Sequence, residues 1–261
     1  MRFIVPIKQV PNTTDVRIDP KTGTLIREGV DSIVNPEDLN AVEIALRLRE
    51  KHGGEVVVLS MGPPQAEDAL REVLAMGVDS AYLLTDRALA GADTLATAYS
   101  LARAIARIGE FDLVICGRQA IDGDTAQVGP QLAEFLKLAQ ITYVRGLEIE
   151  EENVVAERGL EDGYEVVKAK LPALVTVTKE INRPRYPSMS GIREAFRTEK
   201  IKRWGVKDFD AEPWRIGLDG SPTWVKTTFS PPPKAPGQIL KGTPKEIGQE
   251  LVRKLTEKNL I

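Results

Sequence analysis

The sequence predicts an α/β protein built on a Rossmann-like parallel sheet with helices on both faces. Three observations predict it. Over residues 2–117, short β-branched runs alternate with helix-periodic segments in the order β-α-β-α-β-α-β. The strand-like runs are apolar on both faces, as strands covered on two sides are. The chain of 261 residues, 42% hydrophobic and 28% charged, suffices for one substantial core, and it has no apolar run near the ~18 residues of a membrane span.

The elements follow in order. Arg2 to Val10 reads as the first strand, carried by Phe3, Ile4, Val5, Ile7 and Val10. Val16–Ile18 and Thr24–Ile26 flank Asp19-Pro20-Lys21-Thr22-Gly23 and read as a small hairpin. Asn35-Pro36-Glu37-Asp38 is a helix start: Asn caps, Pro suits the first position, and two carboxylates complement the dipole. Leu39, Val42, Ala45 and Leu46 form its apolar stripe, and Gly53-Gly54 ends it. Strands at 55–59, 80–84 and 113–116 alternate with helices over 64–76 and through Leu95, Tyr99, Ala102 and Ala106. Runs at 142–149, 153–158, 164–170 and 173–179 read as hairpins added to the parallel sheet. Between Asn182 and Pro236 the core signal fades among eight prolines and three tryptophans, and Ser230–Pro233 reads as extended chain. Thr243 and Glu246 form a capping box for a last helix whose apolar edge is Ile247, Leu251 and Leu255. That edge must be covered, either by the chain's own domain or by a second subunit.

Composition excludes several functions. With 35 Lys+Arg against 38 Asp+Glu, the net charge of -3 gives no general electrostatic footprint for nucleic acid. The start, MRFIVPIKQV, lacks the apolar core of a signal peptide, and a cytoplasmic location is expected. The single cysteine, Cys116, excludes an internal disulfide and a cysteine zinc cluster, and it reads as a buried thiol at a strand end. A Ser–His mechanism would rest on His52, which reads as a surface residue compensating a helix end. No catalytic side chain and no metal-ligand set is assigned.

Ligands of open parallel sheets bind beyond the strands' carboxyl ends. Four segments leave such ends: 9–14, 60–64, 85–94 and 117–129. None carries GxGxxG or a P-loop. The last, GRQAIDGDTAQVG, mixes small residues with hydroxyl, amide and carboxylate groups before a helix. Its N–H groups near Thr125–Gly129 suit a phosphate, while Asp122 and Asp124 oppose one unless they bond to sugar hydroxyls or cap the helix. A plain capped loop is the other reading. Glu37 and Asp38 disfavour phosphate and suit ribose or adenine donors. The basic stretch Arg193, Arg197, Lys200, Lys202 and Arg203 reads as a solvated face, or as a contact for an acidic partner.

Several motifs together resemble one family. The stretch AERGLEDGYEVVKAKLPALVT, Ala156 to Thr176, is similar to the signature of electron transfer flavoprotein beta subunits. Val5–Val10, Asn35-Pro36, Ala75-Met76-Gly77, GRQAIDGDTAQVGP and Asn182–Ile192 agree with it, so the resemblance covers essentially the whole chain. It implies an adenine nucleotide alpha hydrolase-like fold and a heterodimer with an FAD-bearing alpha subunit. It implies a nucleotide-binding domain over 1–190 with a recognition loop at about 183–193, and an arm and helix over 191–261 that pack on alpha. The implied nucleotide pocket is Pro6, Asn35, Pro36, Glu37, Asp38, Met61, Gly117, Arg118, Gln119, Ala120, Ile121, Asp122, Gly123, Asp124, Thr125, Ala126 and Gln127. Thr94 and Thr97 are expected as further pocket contacts.

The pocket holds structural AMP in conventional members and a second FAD in electron-bifurcating, FixA-like members. Residues 12–20 and 23–30, Gly91–Thr97 and Gly123–Pro130 look like the bifurcating group, and the small Gly123 and Ala126 leave space for a dinucleotide. Two FADs are therefore expected, with NADH as donor; AMP is the alternative, and a stand-alone adenine-nucleotide-binding protein is the second. The recognition loop would anchor an acyl-CoA dehydrogenase or quinone oxidoreductase through Tyr186, Met189 and Ile192, with Met189 where the family commonly has Leu. Ferredoxin or flavodoxin is the low-potential acceptor implied.

Overall fold

The structure, a computed structural model, describes residues 1–12, 31–197, 199–227 and 237–261. Strands β1 (Arg2–Ile7), β2 (Gln9–Pro11) and β3 (Ser32–Val34) lead into α1 (Pro36–His52). Then come β4 (Glu55–Met61), α2 (Glu67–Met76), β5 (Ser80–Leu84), α3 (Thr94–Ile108), β6 (Leu113–Gly117) and α4 (Val128–Leu136). Next are β7 (Ala139–Glu150), β8 (Asn153–Gly159), β9 (Tyr164–Lys170), β10 (Ala173–Val177), α5 (Met189–Arg197), β11 (Ile201–Trp204) and α6 (Pro244–Glu257). The chain forms two compact units, Met1–Lys226 and Thr227–Ile261.

In the first unit the described strands form a sheet ordered β11-β5-β4-β1-β6-β10-β7-β8-β9. Every pairing from β11 to β7 is parallel; β7-β8 and β8-β9 are antiparallel. This is the mostly parallel α/β fold the sequence predicts. Alternation along β1 sends Phe3, Val5 and Ile7 into one apolar layer with Val42, Leu46, Leu70 and Val73 of α1 and α2. Ile4 faces the other layer, with Tyr99 and Ile105 of α3 and Leu132 of α4. Each such buried side chain contributes roughly 1.5–3 kcal/mol. A surface ion pair contributes about 0–1 kcal/mol, so the apolar faces hold the layers together.

Several expectations need correction. The single strand expected over 2–10 breaks at Lys8, whose N–H is taken by the Asp38 carboxylate at 2.8 Å. β2 then pairs antiparallel with β3. β10 is not a hairpin addition: it runs parallel between β6 and β7, and the expected antiparallel pairings are those of the β7-β8-β9 meander. β11 adds parallel to β5, and Phe209 and Ile216 are buried beyond it, so the core continues past residue 190. The boundary expected there falls inside the first unit. The hairpin expected at 16–18 and 24–26, and the extended segment at 230–233, lie outside the described residues.

In the second unit, α6 has the expected capping box: the Thr243 N–H donates to Glu246 Oε2 at 2.8 Å. None of its residues is buried, and Leu251 and Val252 are about half exposed. No helix among the described residues is long and apolar enough to cross a membrane.

Candidate functional site

The sheet opens at one place. β1 stays paired with β4 as far as Ile7 and Ser60, and β6 with β10 as far as Gly117 and Val177. Between β1 and β6 the pairing ends at Ile4 and Val114. Two residues further along β1 stands Pro6, which has no N–H to offer a neighbour. Here the order of strands also reverses, since β4 lies to one side of β1 and β6 to the other. Such a switch point is where α/β sheets bind ligands.

The first turn of α1 builds the floor of this opening. Pro36 occupies the first helical position as expected, but the Asn35 side chain does not cap α1. It reaches across the crevice instead. Its Nδ2 donates to the Gln119 carbonyl at 2.9 Å, and its Oδ1 accepts from the Ile121 N–H at 3.1 Å. Glu37 accepts from the Gln119 N–H at 3.0 Å and pairs with Arg118 at 3.1 Å. The Arg118 N–H donates to the Val177 carbonyl at 2.9 Å, and its guanidinium lies over the Tyr143 ring. Asn35, Glu37 and Asp38 are buried, their polar atoms engaged by the chain itself.

Burial pushes the Asp38 carboxyl up to about 7, against the hydrogen bonds from Asn35 and the Lys8 N–H. Cys116 is buried as expected, and burial pushes its thiol up.

The rim is the loop from Arg118 to Gln127. A turn closes on the Ala120 carbonyl, which accepts from Gly123 at 3.2 Å and Asp124 at 2.9 Å. Asp122 pairs through both oxygens with Lys8 Nζ at 2.7 Å, and Asp124 accepts from Gln119 Nε2 at 2.8 Å. The two carboxylates that opposed an anion are thus engaged within the protein, neither capping α4. Asp124 and Ala126 hold φ of 48° and 52°, turning the backbone toward α4. Gln127, at the N-cap of α4, makes no side-chain cap bond; its Oε1 accepts from the Thr94 hydroxyl at 2.9 Å. Among the described residues, no acceptor meets the N–H groups of Thr125 and Ala126. Together with the uncapped start of α4 they form an anion-accepting edge. A side chain built on Gly123 would meet nothing within 4 Å, and Ile121 is exposed.

Pro6, the Asn35–Asp38 turn, the 117–127 loop and Thr94 therefore come together around one opening. Thr97 lies in the first turn of α3, its N–H on the Asp93 carbonyl, and half-buried Met61 ends β4 opposite Leu84. Sequence reasoning missed Lys8, although a lysine interrupting the apolar run Phe3–Val10 was a usable signal. A broad depression lined by Met1, Arg2, Glu55, Glu110 and Asp112 lies at the opposite, amino-terminal end of the strands.

Away from this opening, Tyr186 and Met189 are 87% and 84% exposed, and Ile192 is 40% exposed. The expected loop ends in a helix start: the Gly191 N–H donates to the Ser188 hydroxyl at 2.9 Å, and Met189 opens α5.

Comparison with known proteins gives this geometry a context. Residues 22–208 match the electron transfer flavoprotein domain. The chain is 56% identical to an electron transfer flavoprotein subunit beta of Thermoanaerobacterium thermosaccharolyticum, over the full length of both. It is 52% identical, again over both full lengths, to the caffeyl-CoA reductase-Etf complex subunit CarD of Acetobacterium woodii. It is 45% identical to the protein FixA of Bradyrhizobium diazoefficiens, covering 97% of this chain and 90% of that one. The chain belongs to the electron transfer flavoprotein family, as a beta subunit of its FixA-like group.

Proposed function

We propose that the opening at the β1/β6 switch point holds an FAD, and that the heterodimer with an alpha subunit oxidises NADH and divides its two electrons between two acceptors. The observation that carries this reading is the rim: Lys8 neutralises Asp122 and Gln119 donates a hydrogen bond to Asp124, while among the described residues no acceptor meets the N–H groups of Thr125 and Ala126 and no side chain caps the start of α4. That edge suits a diphosphate. The open space around Gly123 supports a dinucleotide over AMP. When bound there, the flavin supplies acceptance of an electron pair from NADH and release of single electrons.

The chain's own residues bind and orient. Asn35 and Glu37 fix the 118–121 backbone, Gly117 lets α1 approach it, and Thr94 holds Gln127 at the start of α4. The exposed Tyr186, Met189 and Ile192 would anchor an acyl-CoA dehydrogenase or quinone oxidoreductase that takes one electron by way of the alpha subunit. The printed name of the Acetobacterium relative, a subunit of a caffeyl-CoA reductase-Etf complex, supports the dehydrogenase. Ferredoxin or flavodoxin would take the other electron. The family's pairing with an alpha subunit sets the stand-alone alternative aside.

The test is anaerobic turnover of the heterodimer with NADH, an acyl-CoA dehydrogenase with its enoyl-CoA substrate, and ferredoxin. Each NADH should give one electron to each acceptor, and ferredoxin should stay oxidised when the dehydrogenase is left out. Oxidation of NADH with both electrons reaching the dehydrogenase would overturn the proposal.

A further inference from the structure

α1 carries a second polar stripe that the switch-point opening does not use. Asn40, Glu43, Arg47 and Glu50 stand at spacings of three, four and three, one line along the helix. Every one of them grips or supports residues 182–185. Asn40 and Asn182 exchange hydrogen bonds, with Asn40 Nδ2 on the Asn182 carbonyl at 2.9 Å and Asn182 Nδ2 on the Asn40 carbonyl at 3.0 Å. Arg47 donates to Glu43 at 2.6 Å and to the Arg183 carbonyl at 3.3 Å.

The centre of the grip is Glu43, which is 2% exposed. It accepts from the Arg185 backbone N–H at 3.1 Å and from Arg185 Nε at 2.8 Å. The far end of the same guanidinium reaches Glu50 at 2.5 Å. Burial by itself would raise the Glu43 carboxyl; the bonds from Arg185 and Arg47 outweigh it and hold the group below its ordinary range. A carboxylate this deep is tolerated only with its partners in place.

Arg185 is the last gripped residue before the exposed loop, for Tyr186 follows it directly. Beyond the loop, α5 is gripped again. A side chain on Gly191 would meet the Ala75 carbonyl at 2.2 Å, and Arg71 donates to the Ala195 carbonyl at 2.7 Å. On the outer side of α5, Met189, Ile192 and Phe196 stand three and four apart and are exposed. The loop is thus a short span between two anchors, with its apolar groups turned outward.

We propose that Glu43 and Arg185 are positioning residues for partner binding. They set where Tyr186 and Met189 stand, so affinity for the dehydrogenase depends on a carboxylate that no partner can reach. This rests on the reading of the loop as the partner's anchor. It also makes α1 one rigid element shared by two sites, since its first turn holds the 118–121 loop.

The test uses the heterodimer with an acyl-CoA dehydrogenase as probe. Arg185→Met and Met189→Ala are each expected to raise KM for the dehydrogenase about tenfold and to leave kcat within about twofold. Because both act through the same loop, the double variant should be no worse than the worse single. Peptides covering residues 184–190 should exchange their amide hydrogens at least about tenfold faster in Arg185→Met, with β1 and β4 unchanged. Glu43→Gln should reproduce the KM effect if it folds; the Arg185 variant, with its change nearer the surface, decides the matter if it does not. A double variant about a hundredfold worse would mean that Arg185 meets the partner itself, overturning the proposal. Met189→Ala raising KM with Arg185→Met silent would overturn the proposal alone. A silent Met189→Ala would remove the anchor reading, and the partner role of the pair with it.

Discussion

Gly117 and Asp38 lie against each other: a β-carbon on Gly117 would stand 2.3 Å from Asp38 Oδ1 and 2.9 Å from the Asp38 backbone nitrogen. The end of β6 and the first turn of α1 are therefore in backbone contact, and the loop that follows Gly117 can be laid along Asn35 and Glu37. Gly117→Ala must push this helix start away. Overpacking of this kind costs typically 1–3 kcal/mol. We expect a lowered thermal midpoint and loss of most of the nucleotide held by this chain, measured on the purified heterodimer. A variant with full nucleotide content would show that the close approach does not shape the pocket.

Asp38 makes stability fall as pH rises. Its carboxyl is raised to about 7, chiefly by burial, from an ordinary value of 3.8. Between those pH values the unfolded chain has lost the proton and the folded chain keeps it, so the folded state binds more protons. This contribution to stability is full below about pH 4 and is lost as pH passes through about 7, an upper bound of about 4 kcal/mol. Asp38→Asn should therefore lose less of its thermal midpoint than the parent between pH 5 and pH 8. Equal losses would contradict the assignment.

Asp93 ties the start of α3 to a distant segment. Its side chain accepts from the Ala96 N–H at 3.0 Å as the helix cap, and from the Thr223 N–H and hydroxyl at 3.1 and 2.8 Å. Its own N–H donates to the Ser221 hydroxyl at 2.8 Å. Asp93→Ala should cost about 1–2 kcal/mol from the cap and release residues 221–226. Limited proteolysis reads the second effect as faster cleavage after Lys226. Unchanged cleavage would show that the segment is held by other means.

What was legible in the sequence follows the range of the forces involved. The helix start at Asn35 and the strands at 55–59, 80–84 and 113–116 stand where local period and capping chemistry put them. β10 was misplaced because its partners, β6 and β7, are chosen by the sheet as a whole and not by the turn before it. Phe209 and β11 escaped notice for the same reason, lying among prolines that interrupt any period.

The candidate residues around the opening were legible as a set, but their division of labour was not. Asn35 has the composition of a cap and serves as a brace, since its side chain finds the 119 and 121 backbone groups of a loop more than eighty residues away. Asp122 looked like an obstacle to phosphate until Lys8 appeared across the crevice. Only the folded chain brings that cation to it.

What the switch-point opening holds decides between the two functions. The chain should be co-produced with its alpha subunit, the heterodimer denatured, and the released nucleotides separated and counted. Two FADs and no AMP per heterodimer are expected, with the second FAD lost selectively in Gly117→Ala. One FAD and one AMP would contradict the account, leaving the rim of Thr125, Ala126 and α4 as the cradle of a structural mononucleotide.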